Sequence, residues 1–483
     1  MGYNKPVGCN YSMIVAPNGF LIYSSFMNKS FTLKGVLTIA LLFCFWVSFS
    51  QKKSIEKPNI ILIIADDAGW NDVGYNGSEI QTPNIDRLAK NGVVLNRFYA
   101  SPTCSPSRAS LLTGRPSSRM GIVAPISDKS KTKLPDSIPT LPKLLHQNNY
   151  QTALFGKWHL GLQPSSGPKA YGFDYSYGFL HGQIDQYTHK YKNGDESWYR
   201  NGEFIVEKGH ATDLITEETI QWISEKRDPK KNFFLQVAYS APHFPLQEEQ
   251  KWKEPYINSI KNSSRRDFAA AMSHMDNSIG LLLDKLKQEN LDKNTLIIFM
   301  SDNGAMKNWD SKNEYDGVHP SNDRLGDNTP FRDWKTSNYE GAIRVPCVFY
   351  WKGHLINYKN ESYISIIDML PSLLFLAGDK NLPPTIEGKN VWSAISENKT
   401  VPNQEIYVRG HLQESLIQKP WKIIRTRHAN PIPADYELYN IEKDAEEKNN
   451  VILQNEALAE KMKIALENQF KKDAKQVNLD RIK

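Results

Sequence analysis

The segment Pro58-Asn-Ile-Ile-Leu-Ile-Ile-Ala65 is an apolar run dominated by isoleucine, and it ends abruptly in Asp66-Asp67. β-Branched residues without period-two alternation describe a strand covered on both faces, the kind found inside parallel sheets. A second run of the same kind, Thr295 to Met300, ends in Ser301-Asp302-Asn303-Gly304. Helix-like periodicity lies between them over Thr82 to Lys90, Ser107 to Thr113, Leu141 to Asn148, Asp213 to Lys226 and Arg266 to Leu286, with further apolar strands at Gln151 to Phe155 and Asn232 to Ala238. This alternation predicts an α/β sandwich with a mainly parallel central sheet. A chain of 483 residues with 40% hydrophobic content is ample for a large core.

Beyond Leu376 the texture changes. Gly378, Pro383, Pro384 and Gly388 mark loops, short alternating segments follow at Glu405 to Arg409, Trp421 to Thr426 and Tyr436 to Tyr439, and a charged amphipathic stretch runs from Leu453 to Lys472. These predict a smaller C-terminal antiparallel sheet with a helix. The expected partition is a leader over 1–50, a catalytic α/β domain over 51–375 and a C-terminal subdomain over 376–483.

Open parallel sheets bind ligands beyond the carboxyl ends of their strands, where Asp66, Asp67, Asp302 and Asn303 would sit. Three carboxylates and an amide oxygen make a hard site suited to Ca²⁺ or Mg²⁺, whereas zinc would call for His or Cys. An Asp after a strand can also be no more than a cap or turn residue, so the two dipeptides argue jointly rather than singly.

In the leader, Lys29 and Lys34 precede an apolar run from Gly35 to Ser50, and Ser48-Phe49-Ser50 offers the small residues that a signal peptidase requires. The expectation is export with cleavage near Ser50-Gln51, to a periplasm or further out. No stable membrane anchor is expected, because the run is short and carries Thr38 and Ser48. Met27-Asn28-Lys29-Ser30 opens a signal peptide of ordinary layout, which makes Met27 an alternative start to Met1. Lys5, Lys29 and Lys34 are the only charges in residues 1–50, so removing them takes the formal charge from +6 to +3, too weak for a nucleic-acid partner. Of four cysteines, Cys9 and Cys44 belong to the leader; Cys104 and Cys347 remain, which is no disulfide framework for an exported chain.

Cys104 stands out by its neighbours: Thr103-Cys104-Ser105-Pro106-Ser107-Arg108-Ala109-Ser110-Leu111-Leu112-Thr113-Gly114-Arg115. Pro106 can occupy the first turn of a helix running to Gly114, which puts Cys104 at an N-terminal mouth where backbone N–H groups and the dipole favour anions. Cys-x-Pro-x-Arg followed by Leu-Leu-Thr-Gly-Arg resembles the type I sulfatase family of the alkaline phosphatase superfamily, and the likeness extends over roughly 56–450. Asp66-Asp67 through Tyr75 and Ser301 through Gly304 are similar to the family's two metal motifs. Gly156-Lys157-Trp158-His159-Leu160-Gly161 is similar to its Lys and His motif, Ala241-Pro242-His243 to its second histidine, and Lys335 through Glu340-Gly341 to its second lysine. The tail Tyr436 through Asp444 matches a closing Glu-Leu-Tyr-Asp stretch. One departure is Ala342, where the family usually has a second glycine.

The resemblance implies an alkaline phosphatase-like sandwich that hydrolyses sulfate esters. Cys104 would be converted by a maturation enzyme to formylglycine, whose hydrate attacks sulfur and later expels sulfate by re-forming the aldehyde. One Ca²⁺ would be held by Asp66, Asp67, Asp302 and Asn303, with residue 104, Cys104 before its conversion, also counted in the metal site. Arg108 would orient the nucleophile, Lys157 and Lys335 would neutralise the sulfuryl group, His243 would protonate the leaving alcohol, and His159 would assist sulfate release. His146, His274, His354 and His428 match no motif and read as surface or core residues. The rivals are a phosphatase or phosphodiesterase of the same superfamily, which commonly uses Ser or Thr and two metals, and an inactive binding homologue.

For substrate, Tyr171 through Asp174, Phe179 through His189 and Ala241 through Pro245 resemble arylsulfatase B-like enzymes, which implies a sulfated saccharide. Candidates are ulvan, carrageenan, fucoidan, and chondroitin or dermatan sulfate. His181, Asp185, Tyr187, His189, Arg332 and Trp334 are expected to offer it ring stacking and hydroxyl hydrogen bonds.

Overall fold

All seven residues of β1 (Asn59–Ala65) are buried, and its two faces enter different cores. Ile60, Leu62 and Ile64 pack with Leu111, Leu112 and Trp158, whereas Ile61, Ile63 and Ala65 pack with Val237, Phe268 and Met272. Each fully buried isoleucine contributes about 1.5–3 kcal/mol of transfer free energy, which is why a continuous apolar run and not an alternating one is needed here. These relationships come from a computed structural model that describes residues 1–2, 57–128, 130–379, 381–401, 404–429 and 431–475. The leader, with its alternative start at Met27 and its expected cleavage at Ser50-Gln51, lies outside the described residues.

β1 belongs to a ten-stranded sheet. In chain order the other strands are β2 (Val93–Leu95), β3 (Gln151–Lys157), β4 (Tyr175–Phe179), β5 (Trp198–Arg200), β6 (Glu203–Phe204), β7 (Phe233–Ala238), β8 (Thr295–Ser301), β9 (Cys347–Trp351) and β10 (Tyr358–Asn360). Their spatial order is β10-β2-β9-β8-β1-β7-β3-β4-β5-β6. The stretch β8-β1-β7-β3-β4 is parallel throughout, while β9 and β5 pair antiparallel with their neighbours. Helices α1 (Pro83–Asn91), α4 (Ala211–Gln221) and α5 (Ser263–Gln288) cover one face; α2 (Cys104–Thr113), α3 (Leu141–Gln147) and α6 (Met369–Leu376) cover the other. The expected α/β sandwich with a mainly parallel sheet is therefore present. The stretch expected as a helix over Asp213 to Lys226 divides into α4 and a π-helical turn, Trp222–Lys226.

The C-terminal sheet has four strands, β11 (Glu405–Arg409), β12 (Gln413–Gln418), β13 (Trp421–Thr426) and β14 (Asp435–Asn440), each antiparallel to the next. One face packs Ile406, Val408, Ile417 and Ile424 against Tyr99, Tyr339 and Ile343. The other is covered by Ala459, Met462 and Leu466 of α7 (Glu456–Phe470). Among the described residues, no helix is long and apolar enough to cross a membrane.

Candidate functional site

β1 and β8 are direct neighbours in register, Ala65 opposite Ser301, so the two acidic dipeptides leave the sheet side by side. The backbone N–H of Asp66 donates to Ala241 at 3.0 Å, and that of Asp302 donates to Ala65 at 3.2 Å. Asp67 turns with φ 70°, in the left-handed region, and its N–H donates to Oδ1 of Asp302 at 3.3 Å. Gly304 allows the close approach of the next loop: a Cβ there would lie 1.9 Å from the carbonyl oxygen of Gly341.

Three cations converge on the acids. Lys157, the last residue of β3, places Nζ 2.6 Å from Oδ2 of Asp66. Lys335 places Nζ 2.6 and 2.8 Å from the two oxygens of Asp67. Arg108 of α2 donates twice to Oδ2 of Asp302, at 3.1 and 2.8 Å, and once to the carbonyl of Lys157 at 3.0 Å. Burial raises the carboxyls of Asp66 and Asp302 above their usual range. At Asp67 burial pushes the same way, but Lys335 and His243 outweigh it and hold the group at about 2.

The same donor set fits a hard cation. Oδ1 of Asp66 and Oδ1 of Asn303 are buried without a hydrogen-bond partner, and such orphaned acceptors are costly unless an ion or water satisfies them. The Asn303 amide is oriented for this, because its Nδ2 donates to Oδ1 of Asp67 at 2.7 Å and leaves the oxygen free.

α2 begins at Cys104 and ends at Gly114, which caps it with φ 64°. The thiol, 2% exposed, lies at the helix N-terminus with Sγ 3.2 Å from Nδ1 of His159. Burial pushes the Cys104 thiol up, against the pull of Lys157 and Lys335. His159 Nε2 lies 3.0 Å from the carbonyl of Ile126, so that nitrogen carries the proton and Nδ1 faces Cys104 as an acceptor. His243 Nδ1 donates to the carbonyl of Phe244 at 2.8 Å, which turns Nε2 toward Asp67, 3.6 Å from Oδ2. Burial holds His243 near 3.

A helix N-terminus, two lysines, an arginine and a candidate cation site thus surround one thiol. The sulfatase family model matches residues 58–379. The chain belongs to the sulfatase family. Over 370 residues it is 35% identical to mouse arylsulfatase J, covering 73% of this chain and 58% of that protein. It is 31% identical over 381 residues to mouse N-acetylgalactosamine-6-sulfatase, covering 74% of this chain and 69% of the relative. The aligned part therefore spans less than two thirds of arylsulfatase J. Among solved structures, Ps i-CgsB in complex with k-i-k-neocarrahexaose matches with TM-score 0.78 and 33% identity, over 87% of this chain and 95% of that one. The PsFucS1 sulfatase from Pseudoalteromonas sp. matches with TM-score 0.72 and 25% identity, over 92% and 95%.

In this sulfatase the six residues expected to face a sugar differ in exposure and in their protein partners. His181 is buried, stacked on Tyr191, with Nδ1 2.9 Å from Ser197 Oγ. Asp185 accepts the N–H groups of Tyr187 and Thr188 and the amide of Gln247, and lies 2.9 Å from His319. His189 stacks on Trp198, and Nε2 meets the carbonyl of Gly209 at 3.1 Å. Tyr187 is exposed on one side and packs its edge on His210 on the other. Arg332 reaches the C-terminal sheet, donating to Tyr439 Oη and the carbonyl of Glu447 at 2.9 and 3.0 Å. Trp334, beside Lys335, is half-buried.

A second buried group, His210, Glu248 and His274, matched no motif. His274 is bonded at both nitrogens, to Glu248 at 2.7 Å and to Asp213 at 3.0 Å, and stacks on Trp252. Those two carboxylates outweigh burial and raise His274 to about 9.

Proposed function

We propose that this sulfatase hydrolyses sulfate esters of sulfated polysaccharides or their oligosaccharides, with residue 104 as nucleophile after oxidation of Cys104 to formylglycine. The observation that carries the reading is the thiol of Cys104 at a helix N-terminus, 3.2 Å from an accepting imidazole and surrounded by Lys157, Lys335 and Arg108. Formylglycine, hydrated, would supply an oxygen nucleophile whose remaining hydroxyl can expel sulfate by re-forming a carbonyl. Asp66, Asp67, Asp302 and Asn303 would hold Ca²⁺, which would polarise a sulfate oxygen and acidify the nucleophile. The orphaned oxygens of Asp66 and Asn303 support that assignment.

The chain's own groups have definite tasks. Lys157 and Lys335 offset charge on the sulfuryl oxygens in a water-poor site, where preorganised donors count most. Nδ1 of His159 accepts a proton from the hydroxyl on residue 104 as sulfate departs. His243, neutral in the free site, turns Nε2 toward Asp67; to protonate the leaving oxygen it must first gain a second proton as the anionic ester binds, because Nδ1–H is committed to Phe244. Arg108 ties the helix bearing residue 104 to Asp302.

The saccharide assignment is supported by the likeness to a carrageenan-oligosaccharide complex and to an N-acetylgalactosamine-6-sulfatase. Residues 51–375 would carry the chemistry, 376–483 would form the smaller subdomain, and export through the leader would bring the enzyme to its polymer. Sulfate release by the oxidised enzyme from ulvan, carrageenan, fucoidan, chondroitin sulfate and dermatan sulfate oligosaccharides, beside a small aryl sulfate, tests the reading. Turnover of at least one saccharide with higher kcat/KM than the aryl ester is expected. Rapid aryl hydrolysis with none on any saccharide would sink the carbohydrate assignment, and release of phosphate from phosphate esters in preference to sulfate would sink the sulfatase one.

A further inference from the structure

A cavity of about 400 Å³ opens beside the site, lined by Thr103, Pro125, Thr336, His411, Leu412 and Thr426, among others. Three of its walls are chain neighbours of the proposed machinery. Thr103 precedes Cys104, Thr336 follows Lys335, and Pro125 precedes Ile126, whose carbonyl holds His159 at 3.0 Å. The fourth wall is the turn between β11 and β12, contributed by the C-terminal sheet. A larger cavity of about 710 Å³ runs along Lys359, Tyr363 and Gln418 and touches none of these segments.

The turn is held firmly against the catalytic loops. Gly410 sits where a Cβ would lie 2.9 Å from Pro102 and 3.0 Å from Oδ1 of Asn338. The N–H of Asn338 donates to Oε1 of Gln413 at 2.8 Å, and its side-chain amide donates to the carbonyl of Val408 at 3.0 Å and to Ser415 Oγ at 3.1 Å. The N–H of Thr336 donates to the carbonyl of Pro102 at 2.8 Å. One network therefore fixes the segments before Cys104 and after Lys335 to the base of the hairpin, while Leu412 at its tip remains 51% exposed.

The lining has the chemistry of a sugar site. The Thr336 hydroxyl and the His411 imidazole stand among the apolar surfaces of Pro125 and Leu412, while Thr426 Oγ1 accepts from the Gln413 amide at 2.9 Å and keeps its own proton to donate, a mixture of apolar faces and hydroxyl partners that suits a pyranose. Among the described residues no carboxylate lines it, so an anionic chain meets no like charge there. Thr103 Oγ1 is buried and has no hydrogen-bond partner. Burial, then the nearby Arg427 charge, holds His411 below its usual value, which leaves a neutral ring for hydrogen bonding and stacking at neutral pH.

We propose that this cavity is the subsite for the sugar unit next to the one that carries the scissile sulfate, and that His411 and Leu412 set which neighbouring sugar is accepted. This rests on the carbohydrate reading above. The neighbouring unit adds its binding energy to ground and transition state alike, and so to kcat/KM, only if it is anchored, and the hairpin is the anchor.

The test uses full-length oxidised enzyme, its His411→Ala and Leu412→Ala variants and the double variant, on the best sulfated oligosaccharide of the panel, the matching sulfated monosaccharide and an aryl sulfate. The variants are expected to lose ten-fold or more in kcat/KM on the oligosaccharide, mainly through KM, with unchanged rates on the two small esters. Isothermal titration of the desulfated oligosaccharide into Cys104→Ala protein, with and without the hairpin changes, gives a second readout in which binding weakens by a similar factor. Unchanged oligosaccharide kinetics, or an equal fall on all three esters, overturns the subsite while leaving the carbohydrate reading standing. Wild-type enzyme that hydrolyses no saccharide overturns both.

Discussion

Sγ of Cys104 and Nδ1 of His159 are 3.2 Å apart, and the far side of that imidazole is committed to the carbonyl of Ile126. The histidine's tautomer is set before any substrate arrives, with the lone pair on the side of residue 104. Burial and then Lys157 hold the ring well below its usual value, so it stays neutral. A neutral acceptor at that point suits a hydroxyl that must lose its proton as a carbonyl re-forms.

Active protein is therefore expected to carry an aldehyde or its hydrate at residue 104. Peptide mass spectrometry of turnover-competent enzyme that found only free thiol there would rule this out. Cys104→Ala should fall by at least about 10³-fold in turnover while melting close to the wild type, since removing a nucleophile disables the chemistry but a single buried sulfur contributes little volume.

Metal content and activity should move together. One divalent cation per chain is expected by elemental analysis, and thorough chelation should abolish activity, with calcium restoring it. Asp302→Asn should lose both, and also lose stability on the order of 3–5 kcal/mol, because the buried guanidinium of Arg108, 2.8 Å from Asp302, would be left without its counter-charge. A fully active, metal-free Asp302→Asn protein would refute the site.

Loss of His243 should cost most where the leaving group is poorest. For a sugar alcohol, His243→Ala is expected to lower kcat by about 10²–10⁴-fold, the usual range for a general acid. For an aryl sulfate with an acidic phenol the loss should be far smaller. Equal losses on both esters would assign His243 a positioning role instead.

His274 makes folding stability depend on pH. Its folded value of about 9 lies above the ordinary 6.5, so the protonated form is favoured by folding. The contribution is complete below pH 6.5 and fades as pH rises through 9. Such a shift corresponds to at most about 3 kcal/mol, reduced because Asp213 is about half exposed. Urea unfolding between pH 6.5 and 9.5 should show this decline in wild type and a shallower one in His274→Gln.

What could be read from the chain in advance follows from where the physics is local. β1 and β8 were legible because a strand covered on both faces must be apolar throughout, and α2 because Pro106 and Gly114 mark its ends. β12 was not foreseen: Gln-Glu-Ser-Leu-Ile-Gln is polar enough to resemble a loop until β11 and β13 flank it. β4 contains Gly178, which sits where a Cβ would strike the carbonyl of Gly156 at 2.3 Å, and neither glycine advertises a strand. The acids, lysines and histidines of the site were legible as motifs, and the structure brings them together. How the sugar-facing candidates are oriented was not legible, because Asp185 and His189 are held by Gln247, Trp198 and Gly209, none of which local sequence can reveal. His411 and Leu412 carried no signal, lying some three hundred positions after Cys104 and inside no recognisable pattern.

The pairing of Lys157, Lys335 and Arg108 with Asp66, Asp67 and Asp302 makes the enclosed site close to electrically neutral when all six are ionised. A divalent ion added to that arrangement leaves an uncompensated double positive charge, and an entering sulfate monoester cancels only half of it. The departing inorganic sulfate is a dianion and cancels all of it. The field that recruits the ester therefore retains the product more strongly, so that a site built this way is exposed to inhibition by free sulfate, and by phosphate as its near isostere, in proportion to how well it is loaded with metal.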